Sequence, residues 1–147
     1  KLEKAATFGQ GFATTEYLAS SLLDMDYHSI TAPISGKATD YEAISMKKYG
    51  LTSAITPRHS STHFSHVFSG GYSAGYYSYI WSGVLDTDAF DQFKKTDLFN
   101  QEKAKSFRNN ILSKGGTEDP MVLYKRFRGS EPSIEPLLKK RGLDKKS

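Results

Sequence analysis

The sequence predicts an all-α protein, on three observations. No segment alternates apolar and polar residues long enough to make a strand. Apolar and aromatic residues recur at three- and four-residue spacings, most regularly at Tyr76, Tyr77, Ile80, Trp81, Val84, Leu85 and Phe90, which fits a 3.6-residue period. Helix punctuation recurs too: Asn100, Asp119-Pro120 and Ser133 at starts, Gly50, Gly115-Gly116, Gly129 and Gly142 at ends.

Taken in order, residues 2–27 carry Phe12, Leu18, Leu22, Leu23 and Met25 with alanines between them, which favours helix. Gly9 and Gly11 divide the segment into a short turn and a longer helix starting near Phe12. Residues 29–36, with Pro33, read as a connector. Asp40 is the expected N-cap of a short helix through Met46 and Tyr49, stopped by Gly50. Residues 51–61 hold Pro57 and several Ser/Thr, and either wrap the surface or line a cleft. The longest helix is predicted over 72–93; Gly75 and Gly83 inside it point to close approach by another segment or a ligand, or to a helix less regular than this. Helices then follow from Asn100 through Phe107, Ile111 and Leu112, from Asp119-Pro120 to Gly129, and from Ser133 through Leu137 and Leu138. With no repeat, low-complexity tract or linker, the 147 residues read as a single helical region, enough for a real core.

Twenty basic and sixteen acidic residues leave a formal charge of only +4. Much of the excess sits in Lys139-Lys140-Arg141 and Lys145-Lys146, which read as a solvated helix end in favourable interaction with the helix dipole; no nucleic-acid partner is expected. The chain has no cysteine, which excludes disulfides, thiol catalysis and thiolate zinc sites, and suits a cytoplasm or a periplasm equally. No apolar run approaches the ~20 residues of a membrane span, and Lys1-Leu-Glu-Lys4 does not resemble a signal peptide. A soluble protein is expected, and the abrupt start in a helical pattern suggests a fragment or processed chain.

The chemistry concentrates in Phe64-Ser-His66-Val-Phe-Ser-Gly70-Gly71-Tyr72-Ser-Ala-Gly-Tyr76-Tyr77-Ser-Tyr79-Ile-Trp81. On a helix Tyr72, Tyr76 and Tyr79 stand at i, i+4 and i+7, on one face, while Tyr77, Ile80, Trp81 and Val84 turn away as packing. Tyrosine, with a reference pKa near 10, donates hydrogen bonds at neutral pH without bringing charge. Each donor aimed at a developing oxyanion contributes about 3 kcal/mol in a dry site. The Gly70-Gly71 turn can fold His66, itself a donor, back over that face. The bland alternatives are an aromatic core helix with hydroxyls at its boundary and a partly buried histidine bonded to a carbonyl.

Other chemistries find less support. His59, His63 and His66 have helical spacing for zinc, but Pro57 argues against a helix there and no His-Glu-x-x-His stands in the sequence. A carboxylate partner would have to come from Glu16, Asp24 or Asp26, with nothing to nominate it. There is no Gly-x-Ser-x-Gly elbow and no phosphate-cradling loop. Arg58, Arg126 and Arg128 are candidates to grip a peptide carboxylate, although arginine stems more often cover helix surface.

The segment from Phe64 to Trp81 resembles the C-terminal active-site segment of the M3 zinc metallopeptidases, the thimet oligopeptidase family, and within it the bacterial peptidyl-dipeptidase (dipeptidyl carboxypeptidase) branch. The resemblance extends to Phe8-Gly-Gln-Gly-Phe-Ala-Thr-Thr-Glu-Tyr-Leu-Ala19, to residues 108–116 and to Phe127-Arg-Gly-Ser-Glu-Pro-Ser-Ile-Glu-Pro-Leu-Leu-Lys-Lys-Arg-Gly-Leu143. It implies the C-terminal helical part of a two-lobed, mostly helical zincin-type peptidase with a deep substrate channel. It implies roles for His66, Tyr72 and Tyr79 in substrate binding and oxyanion stabilisation, and for Tyr76, Gly70 and Gly71 in substrate contact. Zinc in such enzymes is held by His-Glu-x-x-His and a glutamate of a following helix, both upstream of this region. The expectation is therefore a fragment without a metal site of its own, inactive alone, whose partners are the upstream catalytic-domain helices and, through them, oligopeptide substrates; isolated, it could expose apolar surface and self-associate. Gly9, where many relatives carry asparagine, and Thr62-His63, where proline and an aromatic are expected, depart from the pattern.

Overall fold

The computed structural model describes residues 2–144; Lys145 and Lys146 of the basic run lie outside them. Among the described residues all regular structure is helical. The chain divides between Tyr79 and Ile80 into two compact units.

The first unit begins with α1 (Leu2–Ala6) and α2 (Gln10–Ser29), separated where Gly9 adopts a φ of 70°, a left-handed conformation open to glycine without a Cβ penalty. Helix α2 starts ahead of Phe12 and takes Gly11 into its first turn. Helix α3 (Ala38–Lys48) corrects one expectation: Lys37, not Asp40, holds the cap position, without a side-chain capping bond. Asp40 instead lies in the first turn, where a carboxylate suits the positive end of the helix dipole. The end is as expected, with Gly50 at φ 71° and the Leu51 N–H donating to the Met46 carbonyl at 3.0 Å.

Ala19, Leu23 and Met46 pack α2 on α3, with Tyr27 and Leu51 at the margin. Beside them Asp26 accepts from Ser45 Oγ at 2.6 Å, Lys48 Nζ at 2.8 Å and the Tyr49 hydroxyl at 2.8 Å. Burial pushes its carboxyl up, but those donors outweigh it and hold the pKa below the usual range. Residues 52–60 are irregular and are stitched to α2: the Arg58 N–H donates to the Glu16 carbonyl at 3.1 Å and the His59 N–H to Ser20 Oγ at 3.0 Å. A 3₁₀ turn, Ser61–His63, and the short α4 (Ser65–Phe68) follow. Glu42 of α3 fixes that turn by accepting from both the N–H and the Oγ of Ser61 at 2.6 Å. Phe64, Val67 and Tyr76 form a second core, with Tyr17 against it; each large apolar side chain so enclosed contributes about 1.5–3 kcal/mol. Phe12, Leu18, Leu22 and Met25 of α2 remain exposed.

The predicted helix over 72–93 is shorter than expected and is not the longest, with 17 residues against 20 in α2. Residues 72–77 form successive turns, and α5 runs over Ser78–Lys94. Its buried positions in the second unit are Val84, Thr87, Asp88 and Ala89; of the apolar positions that predict the helix Val84 is among them, while Phe90 is exposed. Trp81, expected as packing, is exposed. At Gly83 a Cβ would stand 3.7 Å from Leu137 Cδ1, an ordinary packing distance that does not require glycine.

Helix α6 (Gln101–Phe107) is capped by Asn100, whose Oδ1 accepts from the Lys103 N–H at 2.8 Å. It continues into a π segment, Arg108–Leu112, a widening that no side-chain pattern announces. Helix α7 (Pro120–Arg128) starts from Asp119, which accepts from the Met121 and Val122 N–H groups, and ends at Gly129 with φ 93°. Helix α8 (Glu135–Arg141) begins just after Ser133, whose Oγ accepts from the Glu135 N–H, and ends at Gly142. Ala89, Tyr124 and Phe127 make the core, flanked by Leu85, Phe93, Phe107 and Ile111.

Asp88, fully enclosed, organises this unit. It accepts from Arg128 Nε at 2.7 Å and Nη2 at 3.0 Å, from the Tyr124 hydroxyl at 2.7 Å and from the Ser133 N–H at 3.1 Å. Burial acts to raise its pKa; the Arg128, Tyr124 and Ser133 bonds win and hold it low. Its stabilisation is therefore complete above the ordinary carboxyl range and is lost as pH falls through the depressed folded value. Arg128→Met leaves a buried carboxylate without its cation and is expected to cost about 3–5 kcal/mol, measurable by denaturant unfolding; a loss under 1 kcal/mol would contradict this role.

Candidate active site

The turn between α4 and α5 begins with a constraint at Gly70. A Cβ there would lie 2.8 Å from the His66 carbonyl oxygen, so only glycine lets the chain fold back; at Gly71 nothing stands within 4 Å. The Tyr72 N–H then donates to the His66 carbonyl at 3.2 Å, and Ser73 Oγ to the Val67 carbonyl at 2.7 Å. Ala74 takes a φ of 53°, a left-handed conformation that costs an L residue roughly 1–2 kcal/mol. The turn is held from α2: Asp24, fully buried, accepts from the Ala74 N–H through Oδ1 and from the Tyr76 N–H through Oδ2, both at 3.0 Å. An orphaned buried N–H costs about 1–3 kcal/mol, so two satisfied ones outweigh the strain at Ala74. His28 Nδ1 lies 2.8 Å from both Asp24 Oδ1 and the Asp24 carbonyl oxygen; facing two acceptors, that nitrogen carries the proton.

The arrangement differs from a helix face bearing three tyrosines. Tyr72 and Tyr76 belong to the turn and Tyr79 to the first turn of α5. The rings of Tyr72 and Tyr79 stack at 5.1 Å and are 39% and 45% exposed, whereas Tyr76 is 3% exposed and lies beneath them, 5.3 Å from the Tyr79 ring. Tyr77, expected to pack, is exposed. Tyr17 of α2 stacks on Tyr76 at 5.2 Å and donates its hydroxyl to the Tyr76 carbonyl at 2.5 Å. His66 does fold toward the tyrosines, 5.7 Å from the Tyr76 ring and 6.3 Å from the Tyr72 ring. Its enclosed Nδ1 has no hydrogen-bond partner among the described residues. The structure brings His66, Tyr72 and Tyr79 together after the Gly70-Gly71 turn, whereas Tyr76, expected to contact substrate, is enclosed because the turn at 72–77 carries its ring into the core. The sequence leaves Tyr17 unassigned and presents His59 and Asp24 only as metal-site candidates; Asp24-x-x-x-His28, a polar pair one turn apart on a helix, is the signal that could have singled out the aspartate.

The phenols are poised as donors. The hydrogen bond with Tyr72, then burial, pushes Tyr79 up to about 12. Burial raises Tyr76 as well, Tyr17 adding to it and Arg58 opposing. His59, 4.6 Å from His66, is lowered by burial, then by His66 and Arg58, which favours its neutral form. Among the arginines, Arg126 is paired with Glu118 at 2.7 Å and Arg128 with the enclosed Asp88; Arg58 stands 4.0 Å from Glu16.

A family model described as Peptidase family M3 matches residues 1–143. The chain belongs to peptidase family M3. It is 36% identical to the dipeptidyl carboxypeptidase of Salmonella typhimurium over 99% of its own length and 22% of that relative's. With the Escherichia coli dipeptidyl carboxypeptidase the identity is 37% over 98% of the chain and 21% of the relative. Oligopeptidase A of Escherichia coli is 55% identical over 54% of the chain and 12% of the relative. This M3 chain thus spans about a fifth of the length of the dipeptidyl carboxypeptidases it matches. M3 peptidases are generally zinc-dependent, but the residues here do not fit a zinc ion. His63 turns to Thr62 Oγ1 at 2.9 Å, and among the described residues no group of three or more His, Asp or Glu could hold a metal. Nor, among them, is any helix long and apolar enough to cross a membrane.

Tyrosine-resolved ¹³C NMR titration is expected to show one phenol, lost in Tyr79→Phe, titrating near 12 and moving toward the ordinary ~10 in Tyr72→Phe. A Tyr79 signal titrating near 10 in the unaltered chain would contradict the stacked, hydrogen-bonded pair.

Proposed function

We propose that this chain supplies the substrate-facing wall of a zinc peptidyl-dipeptidase, as the C-terminal helical part of a two-lobed enzyme that releases dipeptides from the C-termini of oligopeptides. The observation that carries it is the half-exposed Tyr72–Tyr79 pair beside His66, in a chain alike over almost its whole length to relatives named dipeptidyl carboxypeptidase. A phenol with a pKa near 12 stays a neutral donor throughout the physiological range. Placed at the scissile carbonyl, Tyr79 and Tyr72 would donate to the oxygen as it gains negative charge, and His66 would add a third polar group to the wall. Tyr76 underlies the pair and sets its height. Zinc and the water it activates would come from the rest of such an enzyme, and the exposed apolar residues of α2 would be covered by its upstream helices.

A second reading, an oligoendopeptidase, is favoured by the higher identity to oligopeptidase A over a shorter stretch. The two readings share the wall and differ in product.

The purified chain with added zinc is expected to leave internally quenched peptides intact; turnover would refute its dependence on other sequence. In the complete enzyme that carries it, Tyr79→Phe is expected to lower kcat by about 10²–10³-fold with KM little changed. An unchanged kcat would remove the oxyanion role. Mass spectrometry of products separates the readings, since successive loss of C-terminal dipeptides fits the first and internal cleavage the second.

A further inference from the structure

Asp24 has no place in the wall just proposed, yet its side chain is spent on the turn that builds it. Asp26 and Asp88 each pair with a lysine or an arginine. Asp24 has neither among the described residues; its oxygens accept from His28 and, some fifty positions along the chain, from the N–H groups of Ala74 and Tyr76.

The pattern of residues 72–93 favours a continuous helix, and in a helix Tyr72 and Tyr79 would stand about 10 Å apart along the axis. In the structure their rings stack at 5.1 Å because residues 72–77 are wound as turns. The competing helix would use the Ala74 and Tyr76 amides differently and would bring Ala74 back from its left-handed φ of 53°. The two acceptors on Asp24 are what make the turn the better arrangement. We infer that Asp24 is a positioning residue, which holds residues 72–77 in the turn and thereby sets Tyr72 against Tyr79 for the carbonyl-facing role. This rests on the wall proposed above. Asparagine cannot substitute: its single carbonyl oxygen serves one N–H, and its NH₂ confronts the other.

The test combines two readouts. In the chain itself, Asp24→Asn is expected to move the Tyr79 titration from about 12 toward the ordinary value as Tyr72 leaves it. In the complete enzyme, the same change is expected to lower kcat by about 10²-fold with KM little altered, as for a misplaced catalytic group. Gly75→Ala, which tilts the same turn toward helix without touching α2, is expected to act in the same direction and more weakly; it keeps the test decisive should Asp24→Asn fail to fold. A Tyr79 titration and a kcat both unchanged in the variants that fold would overturn the inference. Tyr79→Phe separates its failure from that of the wall. If that variant lowers kcat and Asp24→Asn does not, the positioning role falls while the wall stands. If Tyr79→Phe is without effect, the wall falls, and the titration still reports whether Asp24 holds the stack.

Discussion

The Ala74 and Tyr76 amides share one acceptor, the enclosed side chain of Asp24. Much of the first unit's chemistry depends on that sharing. With the two N–H groups taken, the chain can leave Gly70, fold back over α4 and enter α5 only at Ser78. That path seats the Tyr76 ring in the core with Phe64 and Val67 and leaves its neighbours Tyr72 and Tyr79 stacked at the surface. Tyr17 makes the arrangement reciprocal, since the ring that packs on Tyr76 also satisfies its carbonyl. The α2 helix therefore positions the tyrosines through an acceptor, a donor and a ring, all on rigid secondary structure, as precise placement requires.

Buried aspartates recur as organisers, each answering a different local problem. Asp26 gathers Ser45, Lys48 and Tyr49 and ties α3 to α2. Asp88 grips both ends of the segment from Tyr124 to Ser133. A buried ion pair gives little net stability over an apolar replacement, yet breaking one side is expensive. What such pairs contribute is geometry, because a wrongly placed helix end would leave the carboxylate's acceptors unmet.

Legibility in the sequence followed the range of the interactions. Asn100, Asp119-Pro120, Gly129 and Gly142 were readable because the donors they serve, or the conformation they permit, lie within a few residues. Val84 of α5 was readable for the same reason, whereas Phe90 of the same pattern is exposed. The turn at 72–77 was not: its residues carry a helical pattern, and the acceptor that overrides it lies on another helix. Tyr76 and Tyr77 exchanged their expected places through this one error, since leaving the helical path reverses which ring points inward. Asp40 failed differently, as a good capping residue that the helix start passed by. The π segment at Arg108–Leu112 left no signal because one additional residue in a turn changes no side-chain type.

On the proposed reading the phenols and the histidines take unequal parts. The hydrogen bond with Tyr72, then burial, raises Tyr79 and so keeps its proton on oxygen; such a group can donate to an anion in formation but cannot serve as a base near neutral pH. The neighbouring imidazoles do not converge into a ligand set: His59 and His66 are tilted ring to ring, and the third histidine of the run bonds its own neighbour. A surface of neutral donors stabilises negative charge only where another group creates it. On the proposed reading the electrophile and the base both face this wall from sequence beyond it. The ordering of the turn by Asp24 then matters because the donors must already be in place when that charge develops.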